Sequence, residues 1–160
     1  MSFRALYSFH GGKIPVKGYT IAASEAFDRG DVVALNSDGK VAEAAAANAD
    51  VVGYSLEGVT GGASLGPNTA TVLVVPFIDG IVYATTEVAE ASQAPAVTDI
   101  GTIRDLVVSS GAWGIAASAS ATAATPQFRV IDVDTIRNEW HVVIAPLEIS
   151  DVFQMVDAAV

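Results

Sequence analysis

The sequence predicts an all-β protein. One small barrel or sandwich domain spans residues 21–160, and an extended N-terminal arm over residues 1–20 precedes it. Three observations carry this. Short runs rich in β-branched and apolar residues recur at roughly ten-residue spacing, with Gly, Asp and Asn between them. No long segment shows the 3.6-residue period of an amphipathic helix, so strands do not alternate with helices as in an α/β fold. Finally, the stretch from Val72 to Thr86 (VLVVPFIDGIVYATT) is apolar on both faces, as suits a strand covered on both sides.

That stretch reads as a central hairpin. Its two runs meet at Asp79-Gly80, a dipeptide that tolerates positive φ at both central turn positions. Pro76 cannot donate to a ladder, so it belongs at a bulge or facing an edge. Before it, the arm MSFRALYSFHGGKIPVKGYT has no sustained period. Phe3, Leu6, Tyr7 and Phe9 are apolar, and Gly11-Gly12 and Pro15 interrupt. Gly30-Asp31 opens a strand Val32–Leu35. The turn Asn36-Ser37-Asp38-Gly39 follows and then Lys40-Val41, a second hairpin with Asp-Gly at its tip. Residues 42–50 have Ala propensity for a turn or two of helix but lack an apolar face, so a loop is equally expected. Val51–Leu56 reads as a strand, and Gly58–Asn68, with four glycines and Pro67, as a loop.

Residues 87–99 form an Ala-rich insert broken by Pro95. Ile100–Val108, Ser109-Ser110-Gly111 and Ala112–Ile115 read as strand, turn, strand. Ala116–Thr125 is low in complexity and is expected to be an exposed loop. Phe128, Val130, Asp132 and Asp134 alternate with Arg129, Ile131, Val133 and Thr135. Asn138 marks a turn, and Trp140–Ala145 is the last clear strand. Residues 147–160 are expected to form a closing strand or a short helix.

Composition narrows function. The chain carries a net charge of −10, which disfavours phosphate backbones and so nucleic acid. The charge is uneven: residues 1–24 hold Arg4, Lys13 and Lys17 and no acid (+3), and the remainder holds 5 Lys+Arg against 18 Asp+Glu (−13). A weakly basic arm ahead of an acidic body fits docking on an acidic neighbour, another copy included. Partner contact is therefore expected from Phe3, Arg4, Leu6, Tyr7, Phe9, Lys13 and Lys17. With no Cys there is neither disulfide nor thiolate chemistry. No 18-residue apolar span and no basic-then-apolar leader occur, so neither a membrane segment nor a signal peptide is expected.

No catalytic, cofactor or metal residues are expected, and the chain is not read as an enzyme. His10 and His141 lack partners at metal or triad spacing. Asp132 and Asp134, two apart on a strand, share a face; they read as the solvated face of an edge strand more readily than as a cation or acid–base pair. Gly61-Gly62 with Gly66 lacks the Lys-Ser/Thr and helix of a phosphate loop. Trp113 and Trp140 would suit a carbohydrate platform, although a buried core role is commoner.

Two segments carry a resemblance. One runs Gly30-Asp31-Val32-Val33-Ala34-Leu35, Asp38-Gly39-Lys40-Val41, Val51-Val52-Gly53-Tyr54 and Val74-Val75-Pro76-Phe77-Ile78-Asp79-Gly80-Ile81-Val82. The other runs Ile100-Gly101, Leu106, Gly111-Ala112-Trp113 and Phe128-Arg129-Val130-Ile131-Asp132. Together, over roughly residues 20–135, they resemble the small capsid decoration (cement, head-stabilising) proteins of tailed bacteriophages. The resemblance implies a β-barrel or sandwich on the outside of an icosahedral shell. Its partners would be the major capsid protein and other copies of itself, as a trimer, and it would reside in host cytoplasm before assembly and on the virion afterwards. A head-fibre base, a tail component and a carbohydrate-binding sandwich are the alternatives.

Overall fold

The computed structural model describes residues 3–23, 25–45, 51–59, 71–86, 94–109, 112–116 and 127–145. The fold is all-β on these residues. Eleven strands form two antiparallel sheets: β1 Phe3–Ser8, β2 Lys17–Thr20, β3 Val32–Leu35, β4 Val41–Glu43, β5 Val51–Ser55, β6 Thr71–Pro76, β7 Ile81–Thr85, β8 Ile103–Ser109, β9 Ala112–Ile115, β10 Gln127–Asp134 and β11 Glu139–Ile144. One sheet runs β1-β7-β11-β10-β8-β9 and the other β2-β6-β5-β3-β4. A short 3-10 turn, Val97–Asp99, leads into β8.

The five-stranded sheet curls until its outer strands meet. Ile21, just past β2, bridges Val41 at the start of β4, and the Ala22 N–H donates to the Val41 carbonyl at 2.8 Å. Successive strand residues point to opposite faces, so Val33, Val72 and Val74 line the inside of this curl with Ile21, Phe27 and Val41. Val32, Ala34, Tyr54 and Val75 point the other way and meet Phe3, Tyr83, Phe128, Trp113 and Trp140 of the six-stranded sheet. The curled sheet thus serves two cores, one inside it and one between the sheets. Barrel and sandwich are both present.

Although aromatics are scarce, they are concentrated. The Phe77 ring lies 5.1 Å from those of Phe3 and Phe128, 5.2 Å from Tyr83 and 6.1 Å from Tyr54. The contacts with Phe3, Phe128 and Tyr83 are edge-on, a geometry that adds to simple burial.

Val72–Thr86 does not form the expected hairpin. β6 pairs with β2 and β5, whereas β7 pairs with β1 and β11. Residues 77–80 therefore carry the chain from one sheet to the other. Gly80 is left-handed at φ 79° but Asp79 is not, which excludes the two-residue turn that needs positive φ at both. The cause lies in Phe77. Its ring turns into the inter-sheet core, so the chain passes between the layers, and β1 takes the place beside β7. The Phe9 N–H donates to the Gly80 carbonyl at 2.8 Å. Pro76 falls at the last position of β6, where a missing N–H costs the ladder least.

The other strand expectations hold in outline. β3 and β4 form the Asn36–Gly39 hairpin, with Gly39 left-handed at φ 71° and the Asn36 side chain accepting the Asp38 and Lys40 N–H groups. β8 and β9 pair as expected, although the strand begins at Ile103 and not at Ile100. Expectations for residues 46–50, 60–70, 87–93, 110–111, 117–126 and 146–160 lie outside the described residues.

Candidate functional site

The N-terminal segment is woven into the body. β1 is an outer strand of the six-stranded sheet and β2 an outer strand of the curled one. Between Ala5 and Tyr7 the register against β7 shifts by a β-bulge. Before the bulge, Ala5 sits opposite Tyr83, which faces the core. After it, Tyr7 sits opposite Val82, whose side chain lies on the sheet face away from that core and is itself buried. The bulge therefore turns an apolar strand inside out at its midpoint. Phe3 is 1% exposed, whereas Tyr7 and Phe9 are 49% and 56% exposed. The two exposed rings meet edge to face at 5.8 Å.

The strand ends in a turn closed by the Gly11 N–H on the Ser8 carbonyl, with Gly11 at φ 68°. His10 packs over Gly80, and Ile78 beside it is exposed. Lys13 and Lys17 are solvent-facing, and Lys17 Nζ lies 4.9 Å from the Tyr19 ring centroid. Of the residues expected to meet a partner, Phe3 is consumed by the chain's own core and Arg4 by an ion pair with Glu139 at 2.5 Å. Leu6 is half-buried. Tyr7, Phe9, Lys13 and Lys17 remain as surface.

Arg4 reaches Glu139 across β7, because Ala84, its neighbour in register, is too small to block it. On the same outer face the β10–β11 hairpin gathers Asp132, Asp134, Glu139 and His141. A second bulge, between Val130 and Asp132, keeps Phe128 and Val130 in the core, turns the two aspartates outward and sends Val133 back to the core. β10 has β11 along its whole length but β8 only at Gln127–Arg129, so among the described residues the stretch that carries Asp132 and Asp134 is an edge, as expected. His141 Nδ1 stands 3.5 Å from Asp132, and ligand atoms of Asp134, Glu139 and His141 lie within 4.8 Å of one another.

Linear spacing hid this cluster, because the strands meet through the hairpin. Its carboxylates are already satisfied. Asp134 accepts the Ile136 and Arg137 N–H groups, both at 3.0 Å, and pairs with Arg137. The Arg137 amide, the Ile136 amide and the Arg137 charge together hold Asp134 below the usual carboxylate range. Glu139 is taken by Arg4. The cluster is an ion-pair network, and a cation would have to displace both arginines.

A buried polar hub went unrecognised in the sequence. The Arg104 side chain is 4% exposed. It pairs with Asp99 at 2.8 Å and donates to the Ala116 carbonyl at 3.0 Å, and Asp99 also accepts the Trp140 indole N–H at 2.9 Å. Burial opposes the Asp99 charge, but the Ala96 N–H, the Trp140 indole and Arg104 outweigh it and hold its carboxyl low. The hub pins the 3-10 turn to the six-stranded sheet. Nothing in the local sequence around Arg104 marks it, since its partners lie at other places in the chain.

Trp113 and Trp140 are both fully buried. A sugar platform needs an exposed ring face, so neither indole can serve as one. The Trp113 indole instead lies beside the Glu43 carboxylate and favours its charged form. Compared with known proteins, the chain matches no family model and no curated protein.

Proposed function

We propose that this chain is a structural virion subunit that binds the outer surface of an icosahedral phage capsid, bridging capsomers as a trimer. The exposed Tyr7–Phe9 pair carries the proposal, because the bulge in β1 spends strand geometry to place two aromatic rings in water. Exposed aromatics of this kind are favoured at the centres of protein interfaces. Lys13 and Lys17 follow them in the chain and are exposed on an otherwise acidic molecule, which suits an acidic neighbour. The doubly cored scaffold supports a role in which rigidity is the useful property. Binding only the expanded shell would stabilise that state by mass action.

The test is co-sedimentation with expanded phage heads, combined with light scattering of the free protein. Tyr7→Ser with Phe9→Ser should keep the melting temperature and lose at least about 2 kcal/mol of head binding. Unchanged binding by the double variant would overturn the assignment of this surface. Sedimentation with tails and not heads would move the chain to another place in the virion.

A further inference from the structure

We infer that the cleft beside β1 receives an extended acidic peptide from a partner protein, with apolar side chains at alternate positions. The cleft, of about 310 Å³, lies between β1 and the end of β5. Its floor is apolar, built from Phe3, Ala5, Ile14 and Leu56. Arg4 and Arg29 line it too, and no Asp or Glu does so among the described residues.

Three features point to a strand-like occupant. First, β1 ends its sheet, so among the described residues no strand lies along its outer edge. Free edges template added strands, and the backbone supplies affinity while alternate side chains find pockets. Within the cleft the Tyr54 hydroxyl accepts the Ala5 N–H at 2.8 Å, so that one edge amide is already satisfied and an added strand pairs with the other edge groups of β1. Second, the apolar floor takes every other side chain of an extended segment. Third, the charge lining the cleft runs against the molecule. Two of only five arginines stand here on a chain of net charge −10.

Arg4 is held by Glu139, whereas Arg29 pairs with no carboxylate among the described residues. Arg29 is therefore the cation that an incoming carboxylate meets. Charge complementarity selects an acidic segment over a neutral or basic one. This inference does not rest on shell binding; a decoy surface at Tyr7 and Phe9 would leave it intact.

The experiment titrates the whole chain with labelled Ac-Val-Glu-Val-Asp-Val-amide, its lysine counterpart Ac-Val-Lys-Val-Lys-Val-amide, and decanoate. It follows anisotropy and the amide NMR shifts of Phe3, Arg4 and Ala5. The acidic peptide is expected to move those amides and the lysine peptide to leave them unmoved. Arg29→Glu, at an exposed position, should keep the melting temperature and weaken the acidic peptide by about tenfold or more. The inference is overturned by silence of the three amides towards the acidic peptide, by equal binding of both peptides, or by a response to decanoate alone. It is equally overturned if the shifts track the chain's own concentration without peptide, which would make a second copy the occupant.

Discussion

Tyr83 shows how much one hydroxyl can organise. Its ring is fully buried in the inter-sheet core, and its oxygen donates to the Pro76 carbonyl at 2.7 Å while accepting the Ile78 N–H at 3.1 Å. Both backbone groups lie where the chain leaves one sheet for the other, at the last residue of β6 and just beyond it. Burial pushes the phenol up to about 12, so the proton that reaches Pro76 stays in place at every ordinary pH. Tyr83→Phe keeps the ring and deletes the bridge. It is expected to cost about 1–3 kcal/mol, the penalty for stranding buried backbone groups, read as a lower midpoint in urea at an unchanged slope. An unchanged midpoint would mean that water replaces the hydroxyl.

Among the described glycines, the tightest site is Gly53, where β5 meets β6. A Cβ on Gly53 would overlap the Val75 carbonyl oxygen and lie 2.7 Å from Pro76 Cα. Both obstacles are backbone, so the two strands must part. At Gly80 a Cβ meets only the His10 ring, at 2.9 Å, but the residue sits at φ 79°. Gly53→Ala and Gly80→Val should therefore each lose about 2–3 kcal/mol or more by thermal melting, for different reasons. Adding His10→Ala should recover part of the Gly80→Val loss and none of the Gly53→Ala loss. Equal recovery in both would sink the distinction.

The same elements show what the sequence disclosed. Strand positions were legible because β-branched runs and Gly, Asp and Asn turns are local signals, and the Asn36–Gly39 hairpin needs nothing more. Partnership was not legible for β6 and β7, because a connection between sheets and a turn within one share the same residues. The bulges at Leu6 and Ile131 were hidden too, since an inserted residue changes facing without changing composition. For that reason Phe3 and Tyr7 looked equivalent, and the Asp134, Glu139 and His141 neighbourhood did not show.

At the scale of the whole molecule, stability should have a mildly acidic optimum. Asp31 is raised, first by burial and then by Asp28, although the Asp28 N–H opposes this; Glu43 is raised by burial and by Asp31. Carboxyls raised in the fold favour it fully below their unfolded values and withdraw that support as pH climbs through the folded ones. Asp99 works in reverse. It supports the fold above the ordinary aspartate value of 3.8 and fails as pH drops through its lowered one. The melting temperature should rise as pH falls from neutral towards the carboxylate range and then decline. Asp31→Asn should flatten the neutral-side slope. Asp99→Asn should lower the whole curve and blunt its acid-side fall, and a monotonic profile for the unaltered chain would contradict both assignments.

The pairing of β1 with β7 also imposes an order on biosynthesis. Phe3 leaves the ribosome well before Thr85, its partner in β7. Through the intervening translation the apolar side chains of β1 have no native seat, and long-range pairing of this kind is slow to nucleate. The nascent chain must keep β1 unaggregated until β7 has followed it.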